Sequence, residues 1–368
     1  MSPGTGGLAK NFQVPNTNTV VKARQSRAHL PFSLNSHVNG RAWTWQERVL
    51  SRRVLHYNQR DVSFECRSKR EVTEDELLPV EWHHASDSHR MDFSPSDIDM
   101  EWTHGLETYS ILNSTNRRDR LPAIAGFAKR ASLYKKSNYI AGLWEDDLLA
   151  NLLWMSGWHP RLCFPAPKEA VDESINPGEV IAQPSWSWAS VSGRIMNKAI
   201  SGIGDRKANQ QGLATVLDKD CAIAGPNPDP FGEVLSGFIR MQAQMEQGSL
   251  VFAEGKWSFQ VNGRENSAHV FMDTPLEASW TTTRTGARMP ATRRKRGCPK
   301  DSDPPLTNVS VTAVYVLNDP DFGVVHGLLL GSVGIWANIY ERIGMFQLSS
   351  DEAESKLAAL SDTNLRII

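Results

Sequence analysis

Cysteine is scarce in this sequence. The 368 residues hold four, Cys66, Cys163, Cys221 and Cys298. They lie far apart, with no Cys-x-x-Cys pair, so neither a zinc site nor a disulfide framework is signalled. They read as reduced thiols of an intracellular protein. An excess of one charge is lacking too. There are 40 basic and 41 acidic residues, a formal net charge of −1. That excludes a chain-wide electrostatic grip on nucleic acid or anionic lipid, and no nucleic-acid partner is expected. Long apolar runs are missing as well. The longest, "FGVVHGLLLGSVGIW", is short, glycine-rich and holds His326, so no membrane span is expected. The N-terminus "MSPGTGGLAKNFQVPNTNTV" lacks the apolar stretch of a signal peptide. No Gly-x-Ser-x-Gly elbow, Walker-type phosphate loop or dinucleotide fingerprint occurs. The string "GTGG" follows no strand and opens no helix. No internal repeat is seen, and nothing in the sequence asks for a cofactor or a metal.

What is present fits a globular protein: 40% hydrophobic and 22% charged residues, over a length that suits two domains. The pattern predicts an α+β chain. Residues 1–37, rich in Gly, Asn, Ser and Pro, read as a disordered or loosely packed arm. "RAWTWQERVLSRR" reads as a helix with Trp43, Gln46, Leu50 and Arg53 on one face. "VLHYNQRDVSFEC" reads as a β-hairpin. Residues 67–95 are charge-rich and read as a surface connection. A helix follows, with Ser94 as N-cap, Pro95 at N1, Asp97 in the first turn, and Ile98, Trp102, Leu106 and Tyr109 on its apolar face. "RDRLPAIAGFAKRASLYKK" buries Leu121, Ile124, Ala128 and Ala131, with Lys135 and Lys136 suiting its C-terminal dipole. "EDDLLANLLWMS" gives a third helix with a Leu148, Leu149, Leu152, Leu153 face, so 95–157 reads as a compact helical unit. "PSWSWASVSG" switches to period two and reads as a strand. Residues 191–350 then read as a β-rich domain, with a disordered insertion near 275–307. Residues 351–368 read as a closing helix and tail.

Several clusters could carry chemistry. His83, His84, Asp87 and His89 have ligand-type side chains, but no strong period makes them converge, and a solvated loop is the favoured reading. The run Arg293–Arg296 could serve nuclear import or an anionic partner, though such runs are common in disordered loops; otherwise a cytoplasmic protein is expected. Trp186 and Trp188 could form a carbohydrate platform, yet two aromatics on one strand face are more often core. Arg41, Trp43, Gln46 and Glu47 fall in the most polar and aromatic stretch. Spacing favours a structural clamp, with Trp43 in the core and Gln46 and Glu47 holding neighbouring backbone. The alternative is a polar site in which Glu47 acts as acid, base or ribose-binding carboxylate.

Taken in order, these segments resemble one family. "RAWTWQERVLSRRVLHY" looks like the Arg-x-Trp-x-x-Gln-Glu block of the fungal heterokaryon-incompatibility (HET) domain. "YSILNSTNRRDRLPAIAGFAK", "YIAGLWEDDLLANLLW" and "PSWSWAS" follow in that family's order, and "GLLLGSVG" with "YERIGMFQL" resembles its tail strands. The positions matching family motifs are Arg41, Trp43, Gln46 and Glu47; Asp119, Leu121 and Pro122; Gly142, Leu143 and Trp144; and Ser185, Trp186, Ser187 and Trp188. None carries an assigned catalytic role. There are departures: position 45 is Trp where Leu is usual, Leu112 stands for Arg and Ser114 for Leu. The aromatic-Trp-Gly block and the Asp/Cys/Asn/Gln block that precede Arg41 in the family are not found. The resemblance implies that 38–190 is part of the domain, a helix and hairpin left from an α/β fold plus the helical unit. It implies a role in non-self recognition and programmed cell death. With the front blocks absent, the expectation is a catalytically inactive copy that acts by contact with a protein of the incompatibility system or by self-association. The alternative is a Toll-like enzyme that hydrolyses NAD or another nucleotide. A seam follows from the first expectation: Arg41, Gln46 and Glu47 would face the absent part and meet water or the N-terminal arm.

Overall fold

A computed structural model describes residues 10–13, 20–23, 38, 40–57, 62–66, 70–74, 78–80, 98–114, 116–157, 183–191, 193–197, 209–253, 256–265, 267–273, 308–333 and 338–368. The His83–His89 cluster, the Ser94–Asp97 cap, the Arg293–Arg296 run and the whole 275–307 insertion lie outside the described residues.

The chain opens with an antiparallel pair, β1 (Lys10–Gln13) and β2 (Val20–Ala23), where a loose arm is expected. Helix α1 (Ala42–Leu50) forms as the sequence predicts. Its buried face is not the expected one. Ala42, Trp45, Arg48 and Val49 turn inward, while Trp43 is 41% exposed. The 3.6-residue turn sets the two tryptophans roughly 200° apart, so one alone can enter the core. β3 (Arg53–Tyr57) and β4 (Val62–Cys66) make the expected hairpin, with Tyr57 opposite Val62. The 67–95 connection carries two further strands, β5 (Arg70–Glu74) and β6 (Leu78–Val80), completing a four-stranded meander.

Helix α2 (Ile98–Ser110) buries Ile98, Trp102, Leu106 and Tyr109, one face at the expected spacing. Two 3-10 turns, Arg117–Arg120 and Pro122–Ile124, lead into α3 (Ala125–Lys135). The proline keeps the turn tight because its ring presets φ and its missing N–H is not needed there. Leu121, Ile124, Ala128 and Ala131 are buried as expected. The next segment is less helical than its leucine pattern suggests: β7 (Tyr139–Ile140) and β8 (Leu143–Trp144) form a tight hairpin, and α4 (Leu148–Asn151) is one turn. β9 (Met155–Gly157) pairs with β10 (Arg194–Met196). "PSWSWAS" is not a strand. Trp188–Ser190 is a 3-10 turn opened by the Ser187 hydroxyl, which accepts from the Ala189 N–H at 3.1 Å.

The rest is strand-rich: β11 (Gln211–Gly212), β12 (Ala214–Ile223), β13 (Val234–Ala253), β14 (Lys256–Val261), β15 (Arg264–Glu265), β16 (His269–Met272), β17 (Asn308–Asp319), β18 (Val324–Ser332) and β19 (Ile339–Ser349). Helix α5 (Ser350–Leu357) follows, and the expected tail is a strand, β20 (Asp362–Ile367). The long β13 pairs with β20 near its start and β17 near its end, and β17–β18–β19–β20 pair in sequence, so the circuit closes on itself. The protein is α+β. One apolar core runs from Ala42 through the helices to Ile367, taking in Met241, Val314, Leu328 and Leu365. A second lies between the sheet and α5, around Phe259, Leu329, Phe346 and Ala353.

Candidate functional site

The residues singled out in the sequence come together in two places. At the first, α1 meets the start of α3. The Trp43 indole donates to the Asp119 carboxylate (Nε1 to Oδ2, 3.1 Å). The Gln46 side-chain oxygen accepts from the Gly126 N–H at 2.5 Å. A Cβ on Gly126 would sit 2.6 Å from Leu50 Cδ1 and 3.0 Å from Gln46 Oε1, so a larger residue there would push those two side chains aside. Arg41 is exposed, and its backbone bridges to Asn113. Glu47 is exposed as well. The expected seam is therefore divided: Arg41 and Glu47 face outward, whereas Gln46 is half-buried and spent on α3. Leu121 is buried and Pro122 half-buried beneath this contact.

At the second place, the β7–β8 turn meets the "PSWSW" turn. Ala141 and Gly142 both have positive φ, 45° and 95°. The left-handed region costs an alanine about 1–2 kcal/mol, so something must hold it. Ser187 Oγ donates to the Ala141 carbonyl at 2.6 Å, and Trp188 Nε1 to the Gly142 carbonyl at 2.8 Å. The Trp188 ring lies so close that a Cβ on Gly142 would be 2.4 Å from its Nε1. Leu143, Trp144, Trp186 and Trp188 are all buried. Trp186 and Trp188 are core, and Trp188 is joined through Tyr109 to the rings of Trp45, Phe127 and Trp102.

Ser185 ties this turn to the sheet. Its Oγ accepts from the Arg342 N–H at 2.9 Å and donates to the Ile368 carbonyl. Arg342 was not legible as special. Its side chain is wholly buried and clasped by Asp273, Nε to Oδ2 and Nη2 to Oδ1, both 3.0 Å. It also donates to the Leu152 and Trp154 carbonyls, and its guanidinium lies 3.5 Å from the Trp154 ring centroid. Trp154 Nε1 in turn donates to the Trp186 carbonyl at 2.9 Å. Burial pushes the Asp273 carboxyl up, to about 6, against the pull of Arg342.

Two other groups escaped sequence reading. Lys135, expected to suit the dipole at the end of its helix, has a side chain only 3% exposed and bonds Asp99 and Asp146. His326 is buried beside Gln347 (Nδ1 to Nε2, 3.3 Å), and burial holds its pKa below the usual histidine value against the opposing charge of Asp319. A cavity lined by Thr103, Gly142, Asn151, Trp188 and Asn197 measures about 10 Å³, room for one water. No group of three or more metal-ligating side chains converges among the described residues, and no described helix is long and apolar enough to cross a membrane. No family model matches the chain, and neither a curated protein nor a solved structure does.

Proposed function

We propose that this protein serves non-self recognition of the fungal heterokaryon-incompatibility kind, and that it acts by contact with a protein partner or a second copy. The observation that carries this reading is how the matched side chains are used. Trp43, Gln46, Ser187 and Trp188 each spend their polar groups on another part of the same chain. Residues so engaged brace a scaffold. A site for nucleotide chemistry would instead leave polar groups converging on open space for a reacting atom. The cleanest test pairs expression in a fungal host with an NAD incubation read by chromatography. The expected result is growth arrest that needs a partner strain, with no nicotinamide released above background. Nicotinamide release that vanished in Glu47→Ala would overturn the reading in favour of an NAD-hydrolysing enzyme.

A further inference from the structure

Three polar side chains lie buried among the aromatic rings of the helical unit: Thr103 on α2, Asn151 on α4 and Asn197, one residue past β10. All three line the small cavity of about 10 Å³, whose other walls include Trp102 and Ile195. Each is bonded to nearby backbone. The Thr103 hydroxyl donates its only proton to the Asp99 carbonyl at 2.8 Å. Asn151 Nδ2 donates to the Asp147 carbonyl at 2.9 Å, and Asn197 Nδ2 to the Ala150 carbonyl at 2.8 Å. Those bonds do not exhaust Thr103 and Asn151. The threonine oxygen keeps its lone pairs, and the asparagine amide keeps a second proton and its oxygen. Polar groups so deeply buried are costly unless they are bonded.

We propose that this cavity is a built site for a single water molecule that joins α2 to α4. The water donates to Thr103 Oγ1 and accepts from the second amide proton of Asn151. Size selects the occupant: about 10 Å³ is the least that admits a water, and nothing larger fits. Charge selects it too. Among the described residues that line the cavity none is charged, so an ion would be buried without a counter-charge, at far greater cost than a neutral molecule. An apolar occupant would leave the Thr103 lone pairs and the Asn151 amide unbonded. Gly142 and Trp188 form another wall. The water therefore lies against the turn that Ser187 and Trp188 hold, and adds a support to that brace from the side of α2 and α4. The site does not depend on which partner the protein meets, or on the non-self reading.

The test is a high-resolution crystal structure of the full wild-type chain, with a count of long-lived buried waters in solution by oxygen-17 magnetic relaxation. The expected density is one spherical peak within hydrogen-bonding distance, roughly 2.7–3.2 Å, of both Thr103 Oγ1 and the Asn151 amide. No peak in the cavity, or one that touches neither side chain, would overturn the proposal. In solution, Thr103→Val keeps the shape and removes the acceptor, so it should hold one long-lived water fewer than the wild type. Thr103→Ser keeps the hydroxyl and should hold the wild-type number. A Thr103→Val protein with the full count, or a Thr103→Ser protein that loses the water, would contradict the assignment as well. The wild-type crystal decides by itself if Thr103→Val does not fold. None of these outcomes depends on growth arrest or NAD cleavage, so this proposal and the functional reading fail separately.

Discussion

Trp45 and Trp43 sit two residues apart on α1 and do different work. Trp45 is 1% exposed between Tyr109 and Phe127, so Trp45→Ala should cost about 3–5 kcal/mol in urea melts. Trp43→Ala loses one partly exposed hydrogen bond to Asp119, about 1 kcal/mol. The reverse order would put the wrong face of α1 in the core. At the β7–β8 turn, Gly142→Ala should be severely destabilising, because the new Cβ meets Trp188 and the φ of 95° disfavours any side chain. Ala141→Gly should be nearly neutral: relief of the left-handed backbone, about 1 kcal/mol, offsets the usual entropic loss of similar size. His326 supplies a pH dependence. Its folded pKa lies below the ordinary 6.5, so its contribution is fully present above that value and is lost as pH falls below it. Chemical melts from pH 8 to 5 should show this slope in the wild type and a flatter one in His326→Gln.

Among elements, the helices were the most legible. The Ile98, Trp102, Leu106, Tyr109 spacing and the Leu121, Ile124, Ala128, Ala131 spacing each named a buried face that the fold uses. The "PSWSWAS" turn was misread because alternating Trp and Ser reads as period two. Its shape comes from contacts far along the chain, Ala141 and Gly142 to one side and Arg342 to the other. α1 was placed rightly and rotated wrongly, since nine residues with two tryptophans fit either face until α2 and α3 choose. The candidate site was half visible: the motif residues were named, but their pairing across 46 and 76 positions of sequence was not. Arg342 lay in ordinary strand sequence and Asp273 one residue past the end of β16, and neither gave a signal. Their pair makes an element-scale prediction. Removing one partner leaves a buried charge alone, so Arg342→Met or Asp273→Leu should cost about 3–5 kcal/mol, and the double variant much less than the sum. Additive losses would mean that the two charges are not coupled.

For the whole molecule, the core passes through the expected boundary near residue 190 without a break, from Trp102 and Trp154 into Met241 and Leu328. The "PSWSW" turn lies at that crossing and bonds both sides. The central claim is that the residues singled out in the sequence brace this shared core. Ser187→Ala tests it most directly, since it deletes one hydroxyl that holds Ala141 and opens the 3-10 turn, and little volume. Urea unfolding should be followed by tryptophan fluorescence and by the β-sheet signal in circular dichroism. A loss of about 1–3 kcal/mol in one transition seen alike by both probes is the predicted result. An unchanged midpoint, or two separate transitions in the wild type, would contradict it.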